Sequence, residues 1–209
     1  NRIYGLTKGQ YSPTSEQGKK TKASPYGSID YPLNPPSLAL GAQATFVART
    51  IDRWQKHLAE MLDRSYNHDG GSFIEIYQNC NIFNDAAFEE YTGAEKFNNV
   101  IELKHGEPML FAHGTKGIKL DGFKPKVVDM EKNSIDDILV HNETDLDLAH
   151  MIANWTSHPT LPEPIGVIYC IDKTTYNQEI VNQIELAIKT KGPGNVQDLL
   201  NSGDTWVVD

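Results

Sequence analysis

The segment between Ala44 and Tyr77 restricts the fold more than any other part of this chain. Ala44-Thr45-Phe46-Val47-Ala48 reads as a strand of small, aromatic and β-branched residues. Asp52 then stands where a helix would begin, with Gln55 three residues on, the spacing of a capping box. Trp54, Leu58, Met61 and Leu62 recur on one helical face, Asp69-Gly70-Gly71 makes a turn, and Ser72-Phe73-Ile74-Glu75-Ile76-Tyr77 reads as the next strand. Strand, helix and strand in that order predict a parallel pair with a helix packed on the sheet, which is an α/β architecture. Ligands of such sheets bind beyond the carboxyl ends of the strands. Gln78-Asn79-Cys80 occupies that address.

The flanks are looser. The first 36 residues are rich in Gly, Pro, Ser and Thr, as in Ser12-Pro13-Thr14-Ser15 and Ser24-Pro25-Tyr26-Gly27, a composition of turns rather than regular elements. Up to Lys22 this stretch carries Arg2, Lys8, Lys19, Lys20 and Lys22 against Glu16 alone, an excess that suits a phosphate or a carboxylate. Past residue 95, Val100–Glu102 and Met109–Phe111 look like short strands, with Val127-Val128 another. Thr144 is placed to cap a helix whose Leu148, Met151, Ile152 and Trp155 share a face. A proline-rich hinge leads to a strand at Ile165–Tyr169, and a last helix from Tyr176 to Lys191 stops at Gly192-Pro193-Gly194.

Composition narrows the function. A net charge of −9 argues against a nucleic-acid binder. No run of about eighteen apolar residues predicts a membrane helix, and no secretory leader pattern opens the chain. Two cysteines, Cys80 and Cys170, fit a reducing cytoplasm better than a disulfide scaffold. The opening Asn1-Arg2-Ile3-Tyr4-Gly5 enters a strand-like step with no polar lead-in, as expected of an internal stretch of a longer protein.

Two places carry candidate chemistry. Asn1-Arg2-Ile3-Tyr4-Gly5-Leu6-Thr7-Lys8-Gly9-Gln10 offers an amide oxygen and a turn whose glycines admit a ligand close to backbone. A Mg²⁺ ion holding a diphosphate takes hard oxygen ligands of this kind, although an ordinary strand-to-loop turn would look the same. Cys80, a lone cysteine after a strand, reads by itself as a small buried hydrophobe, and Cys170, inside an apolar strand, reads as core. The seven histidines form no metal-binding pattern, and the acidic runs around Asp136 and Glu143 read as a solvated face.

These segments closely resemble the β subunits of 2-oxoacid:ferredoxin oxidoreductases. The matching blocks are Asn1 to Gln10, Ser12-Pro13-Thr14-Ser15, Ser24 to Asp30, Leu38 to Ala42, Ala44 to Arg49, Glu75 to Asp85 and Ser202 to Trp206, in one order along nearly the whole chain. The resemblance implies a thiamine-diphosphate-binding fold, a mostly parallel sheet between helices, over residues 1–95, and an irregular C-terminal extension over 96–209 that contacts another subunit. It implies that Asn1 gives Mg²⁺ a side-chain oxygen and Ile3 a carbonyl, that Gly5, Leu6 and Thr7 surround the diphosphate and thiazolium, and that Cys80 supplies one thiolate of a 4Fe–4S cluster. The family's Gly-Asp-Gly-Asp half of the thiamine signature and its other cluster cysteines are absent from the chain, so these residues hold part of each site.

The form Gly5-Leu6-Thr7-Lys8-Gly9-Gln10 resembles the 2-oxoglutarate branch, with Leu6 and Lys8 as substrate-side residues and Lys8 suited to a second carboxylate. The implied reaction is oxidative decarboxylation of 2-oxoglutarate with coenzyme A, reducing ferredoxin, in complex with an α subunit that supplies the catalytic glutamate. No catalytic acid or base is therefore expected in this chain. Pyruvate or another 2-oxoacid as substrate, or a non-catalytic subunit-binding piece, are the alternative expectations.

Overall fold

The computed structural model describes residues 1–156 and 158–208. Its elements fall into two compact units, Asn1–Asp172 and a second that begins at Lys173. The first unit opens with a two-residue hairpin, β1 (Ile3–Tyr4) and β2 (Gln10–Tyr11), followed by loop to helix α1 (Pro35–Gly41). Asn34 caps α1, accepting from the Ser37 N–H, and prolines fill the first turn, where a missing N–H costs nothing. Then come β3 (Phe46–Ile51), α2 (Gln55–Tyr66), β4 (Ser72–Tyr77), the short helices α3 (Glu89–Thr92) and α4 (Lys96–Asn99), and β5 (Val100–Leu103). A hairpin sheet of β6 (Leu110–Phe111), β7 (Lys116–Asp121) and β8 (Lys124–Asp129), a 3₁₀ turn at Ile135–Asp137, α5 (Leu146–Ala153) and β9 (Glu163–Cys170) complete it.

The main sheet has the order β4-β3-β9-β5. The β3–β4 pair is parallel, in register from Phe46 opposite Ser72 to Ile51 opposite Tyr77, as the strand–helix–strand pattern predicts. The β5–β9 pair is also parallel, and an antiparallel β3–β9 pair joins the two. Alternation along β3 splits the core between the two faces of the sheet. Val47 packs with Leu40, Ile101, Ile152, Trp155 and Ile168 on the side of α1 and α5. Phe46 and Ala48 pack with Met61 and Val167 on the side of α2. Each fully buried isoleucine contributes roughly 2 kcal/mol through removal from water.

Several local expectations are corrected. Asp52 does not cap α2, whose N-cap is Trp54 with no side-chain bond; the Asp52 carboxylate instead accepts from the Asn79 N–H at 3.2 Å. The cap of α5 is Asp145, which accepts from the Leu148 N–H, rather than Thr144. On α2, Met61 is buried but Leu62 is exposed. Strand β7, which no pattern announced, pairs with β8 over six residues.

In the second unit, α6 (Tyr176–Lys191) has the bounds that periodicity predicts, opens on a Thr175–Gln178 capping box and ends at Gly192. Its Ile180, Ile184 and Ile188 side chains are solvent-exposed. Asn195 caps a last short helix, α7 (Val196–Leu200).

Candidate functional site

The turn after β1 is built from unusual backbone. Arg2 and Lys8 are left-handed, with φ of 54° and 60°, and Gly9 has φ of 102°. The turn closes on itself through Lys8 N–H to Gly5 O and Gly9 N–H to Tyr4 O, both 2.9 Å. Asn1 Oδ1 accepts from the Ile3 N–H at 3.1 Å, and the Ser15 hydroxyl donates to the Arg2 carbonyl. Ile3 is buried, whereas Leu6 is 98% exposed and Thr7 and Lys8 also face solvent. The backbone N–H groups of Leu6 and Thr7 have no hydrogen-bond partner among the described residues. Free amides on an exposed turn suit an anion.

Cys80 lies on a loop that contacts this turn. It follows β4, is half-buried, and bridges to Asn84 across a tight loop closed by Asn84 N–H to Cys80 O at 3.0 Å. The backbone amides of Phe83 and Ile82 hydrogen-bond the sulfur and lower its pKa from the usual thiol value, outweighing desolvation. The same loop grips the turn above. The Asn84 side-chain amide donates to the Asn1 carbonyl at 2.8 Å, and the Phe83 ring lies where a Cβ on Gly5 or Gly9 would meet it at 3.8 or 3.4 Å. The sequence pointed to the thiamine turn and to Cys80 separately; Phe83 and Asn84, which it did not single out, bring them together.

A buried ionic cluster supports the site from below. Arg49, fully buried on β3, donates to Glu75 at 2.7 Å, to Glu163 at 2.6 Å and to Thr156 at 2.6 Å. Tyr77 donates its hydroxyl to Glu163 at 2.7 Å and accepts from the Arg2 guanidinium at 3.2 Å. The Tyr77 ring stacks on Phe88 with centroids 4.5 Å apart, and Arg2 sits 5.2 Å from both ring centres. Burial disfavours the Arg49 charge, but Tyr77, Glu163 and Glu75 outweigh it, so its pKa is raised. Burial pushes the Tyr77 hydroxyl well above its ordinary value. Arg2 and Glu16 also border a cleft of about 430 Å³ that reaches Tyr91, Lys116 and His158.

Cys170, expected as core, is half-buried at the end of β9 and packs against Phe46, Ala48, Met61 and Val167; burial raises its pKa. No helix among the described residues is long and apolar enough to cross a membrane.

Residues 1–76 match the family model described as thiamine pyrophosphate enzyme, C-terminal TPP binding domain. Over its full length the chain is 42% identical to 2-oxoglutarate oxidoreductase subunit KorB of Mycobacterium tuberculosis, covering 57% of that protein. It is 42% identical to the β subunit of 2-oxoacid:ferredoxin oxidoreductase 1 of Aeropyrum pernix over 44% of this chain and 29% of that one. By sequence the chain is similar to 2-oxoacid:ferredoxin oxidoreductase β subunits. It spans little more than half the length of the full-length relative. The fold superposes with a TM-score of 0.66 and 23% identity on a solved 2-oxoglutarate:ferredoxin oxidoreductase from Magnetococcus marinus with 2-oxoglutarate, coenzyme A and succinyl-CoA bound, covering 98% of this chain and 56% of that one. The thiamine-diphosphate-binding α/β fold expected from sequence is the fold observed.

The donor set fits part of each cofactor that the resemblance implies. Asn1 Oδ1 keeps one lone pair free after bonding the Ile3 amide, and the free Leu6 and Thr7 amides suit diphosphate oxygens. Cys80 has an environment that favours thiolate. A 4Fe–4S cubane takes four thiolates, and this chain has two cysteines, so these residues alone do not complete one.

Proposed function

We propose that this chain is the cofactor-holding part of a β subunit of a thiamine-diphosphate-dependent 2-oxoglutarate:ferredoxin oxidoreductase, which converts 2-oxoglutarate and coenzyme A to succinyl-CoA and carbon dioxide while reducing ferredoxin. The observation that carries this reading is the clasp between the two candidate sites, in which Asn84 and Phe83 of the Cys80 loop hold the Asn1–Gly9 turn. Coupling decarboxylation to one-electron transfer needs the thiamine and iron–sulfur sites side by side, and this loop supplies that adjacency.

In this reading Asn1 and Ile3 give oxygens to Mg²⁺, while the turn at Gly5, Leu6 and Thr7 orients the diphosphate and shapes the reacting face. Thiamine diphosphate, when bound, supplies the nucleophilic carbon and the electron sink. The exposed Leu6 borders the substrate, and the Lys8 ammonium, also exposed, neutralises its second carboxylate. Cys80 gives one thiolate to a 4Fe–4S cluster, the one-electron acceptor. Residues 96–209, which also place β5 and β9 in the main sheet, contact the α subunit, and the assembly works in the cytoplasm with ferredoxin as its partner.

The test is turnover by the purified native complex, with iron and thiamine diphosphate assayed on the same sample. Preferred oxidation of 2-oxoglutarate over pyruvate, with about four irons per β subunit as a 4Fe–4S cluster requires, is the expected result. Preference for pyruvate would reject the substrate, and absence of both cofactors would reject the reading.

A further inference from the structure

We propose that Arg2 is a positioning residue for the thiamine-diphosphate turn, fixing residues 1 to 3 by anchoring its side chain in the buried Arg49–Glu163–Tyr77 cluster. The inference rests on the proposed function and assigns a role to a residue that the thiamine signature leaves unexplained. Arg2 stands between the two residues proposed to hold Mg²⁺, and its backbone is left-handed at φ 54°, a conformation that a non-glycine residue keeps only when its surroundings impose it. The guanidinium donates to the Tyr77 hydroxyl at 3.2 Å, pairs with Glu16 at 3.5 Å, and lies over the Tyr77 and Phe88 rings.

Tyr77 is itself fixed by donating to Glu163, which also receives Arg49 at 2.6 Å. The Arg2 carbonyl is held from the other side by Ser15. The backbone of residue 2 is therefore set by a side chain that reaches through the turn into the sheet as well as by the local bond from the Ile3 N–H to Asn1 Oδ1. A planar guanidinium can stack on two rings and hydrogen-bond a hydroxyl together, and a lysine ammonium cannot reproduce that set.

The experiment measures cofactor binding in the full enzyme complex, with Arg2→Lys, Arg2→Ala and Tyr77→Phe as variants. Thiamine diphosphate affinity is read by calorimetric titration at saturating Mg²⁺. The Mg²⁺ concentration for half-saturation is then read at fixed thiamine diphosphate, with the thermal midpoint of each cofactor-free variant alongside. Arg2→Ala should weaken thiamine diphosphate about tenfold or more and raise the Mg²⁺ requirement in step, with Arg2→Lys close behind. Tyr77→Phe, which loses one hydrogen bond and keeps the ring, should weaken it about threefold to fivefold, the range expected for one such bond. Affinities within twofold of the parent in Tyr77→Phe and Arg2→Lys, both folded by their thermal midpoints, would overturn the inference. So would a Mg²⁺ requirement that stays fixed while stability alone falls. A parent complex that binds no thiamine diphosphate would remove the proposed function and this inference with it.

Discussion

The Asn84 side-chain amide donates to the Asn1 carbonyl at 2.8 Å across 83 residues of sequence. Asn84 is buried and the bond partly so, and it ties the loop carrying Cys80 to the turn carrying the proposed thiamine ligands.

Asn84→Ala would leave the Asn1 carbonyl without this donor in a partly buried site. The expected loss is about 1–2 kcal/mol of unfolding free energy, the range for removing one partner of a buried hydrogen bond. Asn84→Asp should cost more, because it sets an acceptor against an acceptor. Urea unfolding monitored by circular dichroism measures both, and an Asn84→Asp variant as stable as the parent would show that the clasp contributes nothing.

Cys80 should behave as an acidic thiol in protein stripped of cofactors. The Phe83 and Ile82 amides hold its pKa below the usual 9.0. Alkylation by iodoacetamide should therefore reach half its maximal rate below pH 9.0, and Ile82→Pro, which removes one of those donors, should move the midpoint up. The linkage has the matching sign. A depressed folded-state pKa contributes stability that is complete above the unfolded value and is lost as pH falls through the folded one. A midpoint at or above 9.0 in the parent would rule the amide nest out.

The Arg49 cluster gives a larger effect. Glu163→Gln leaves a guanidinium that is 0% exposed facing a neutral amide, with Glu75 as the remaining ion pair. Breaking a buried pair costs about 3–5 kcal/mol, and the surviving partner places this variant toward the lower end. Arg49→Lys should cost a comparable amount, because an ammonium cannot serve Glu75, Glu163 and Thr156 at once. Chemical denaturation of the two single variants and the double variant would measure their coupling. Additive losses would mean that the two side chains do not act as a pair.

Periodic elements were legible in the sequence and long-range polar contacts were not. The α6 bounds followed from the apolar spacing of Ile180, Ile184 and Ile188 and the stop at Gly192, and the parallel β3–β4 pair from the strand–helix–strand order. β7 escaped because Lys116-Gly117-Ile118-Lys119 buries only two consecutive residues, too short a signal to separate from loop. Asp52 looked like a cap because its spacing to Gln55 was right, yet its carboxylate is taken by the Asn79 amide near the end of the neighbouring strand. Arg49 fell just past the strand read from Ala44 to Ala48. Its partners Glu75 and Glu163 are 26 and 114 residues away, and nothing local links them. The site residues Asn1, Ile3, Gly5, Leu6, Thr7, Lys8 and Cys80 were named through family resemblance, whereas Arg2, Tyr77, Phe83 and Asn84 emerged only from the geometry.

His141 makes stability depend on pH in a direction that can be checked. It is 1% exposed, and its Nε2–H donates to the Val167 carbonyl at 2.8 Å, while Nδ1 is buried with no partner among the described residues. Protonation would place a proton on that nitrogen with no acceptor to receive it. Burial accordingly lowers the His141 pKa from 6.5, and the Val167 carbonyl offsets only part of this. The folded state then binds fewer protons than the unfolded state just below pH 6.5, so stability rises with pH there. The contribution is complete above 6.5 and is lost as pH falls through the folded value. His57, also lowered by burial, adds a second contribution of the same sign. Urea midpoints at pH 7.5, 6.0 and 5.0 should fall steadily for the parent. They should fall less for His141→Gln, whose side-chain amide can still donate to Val167 but cannot take up a proton. Equal slopes in the two proteins would move the pH dependence away from His141.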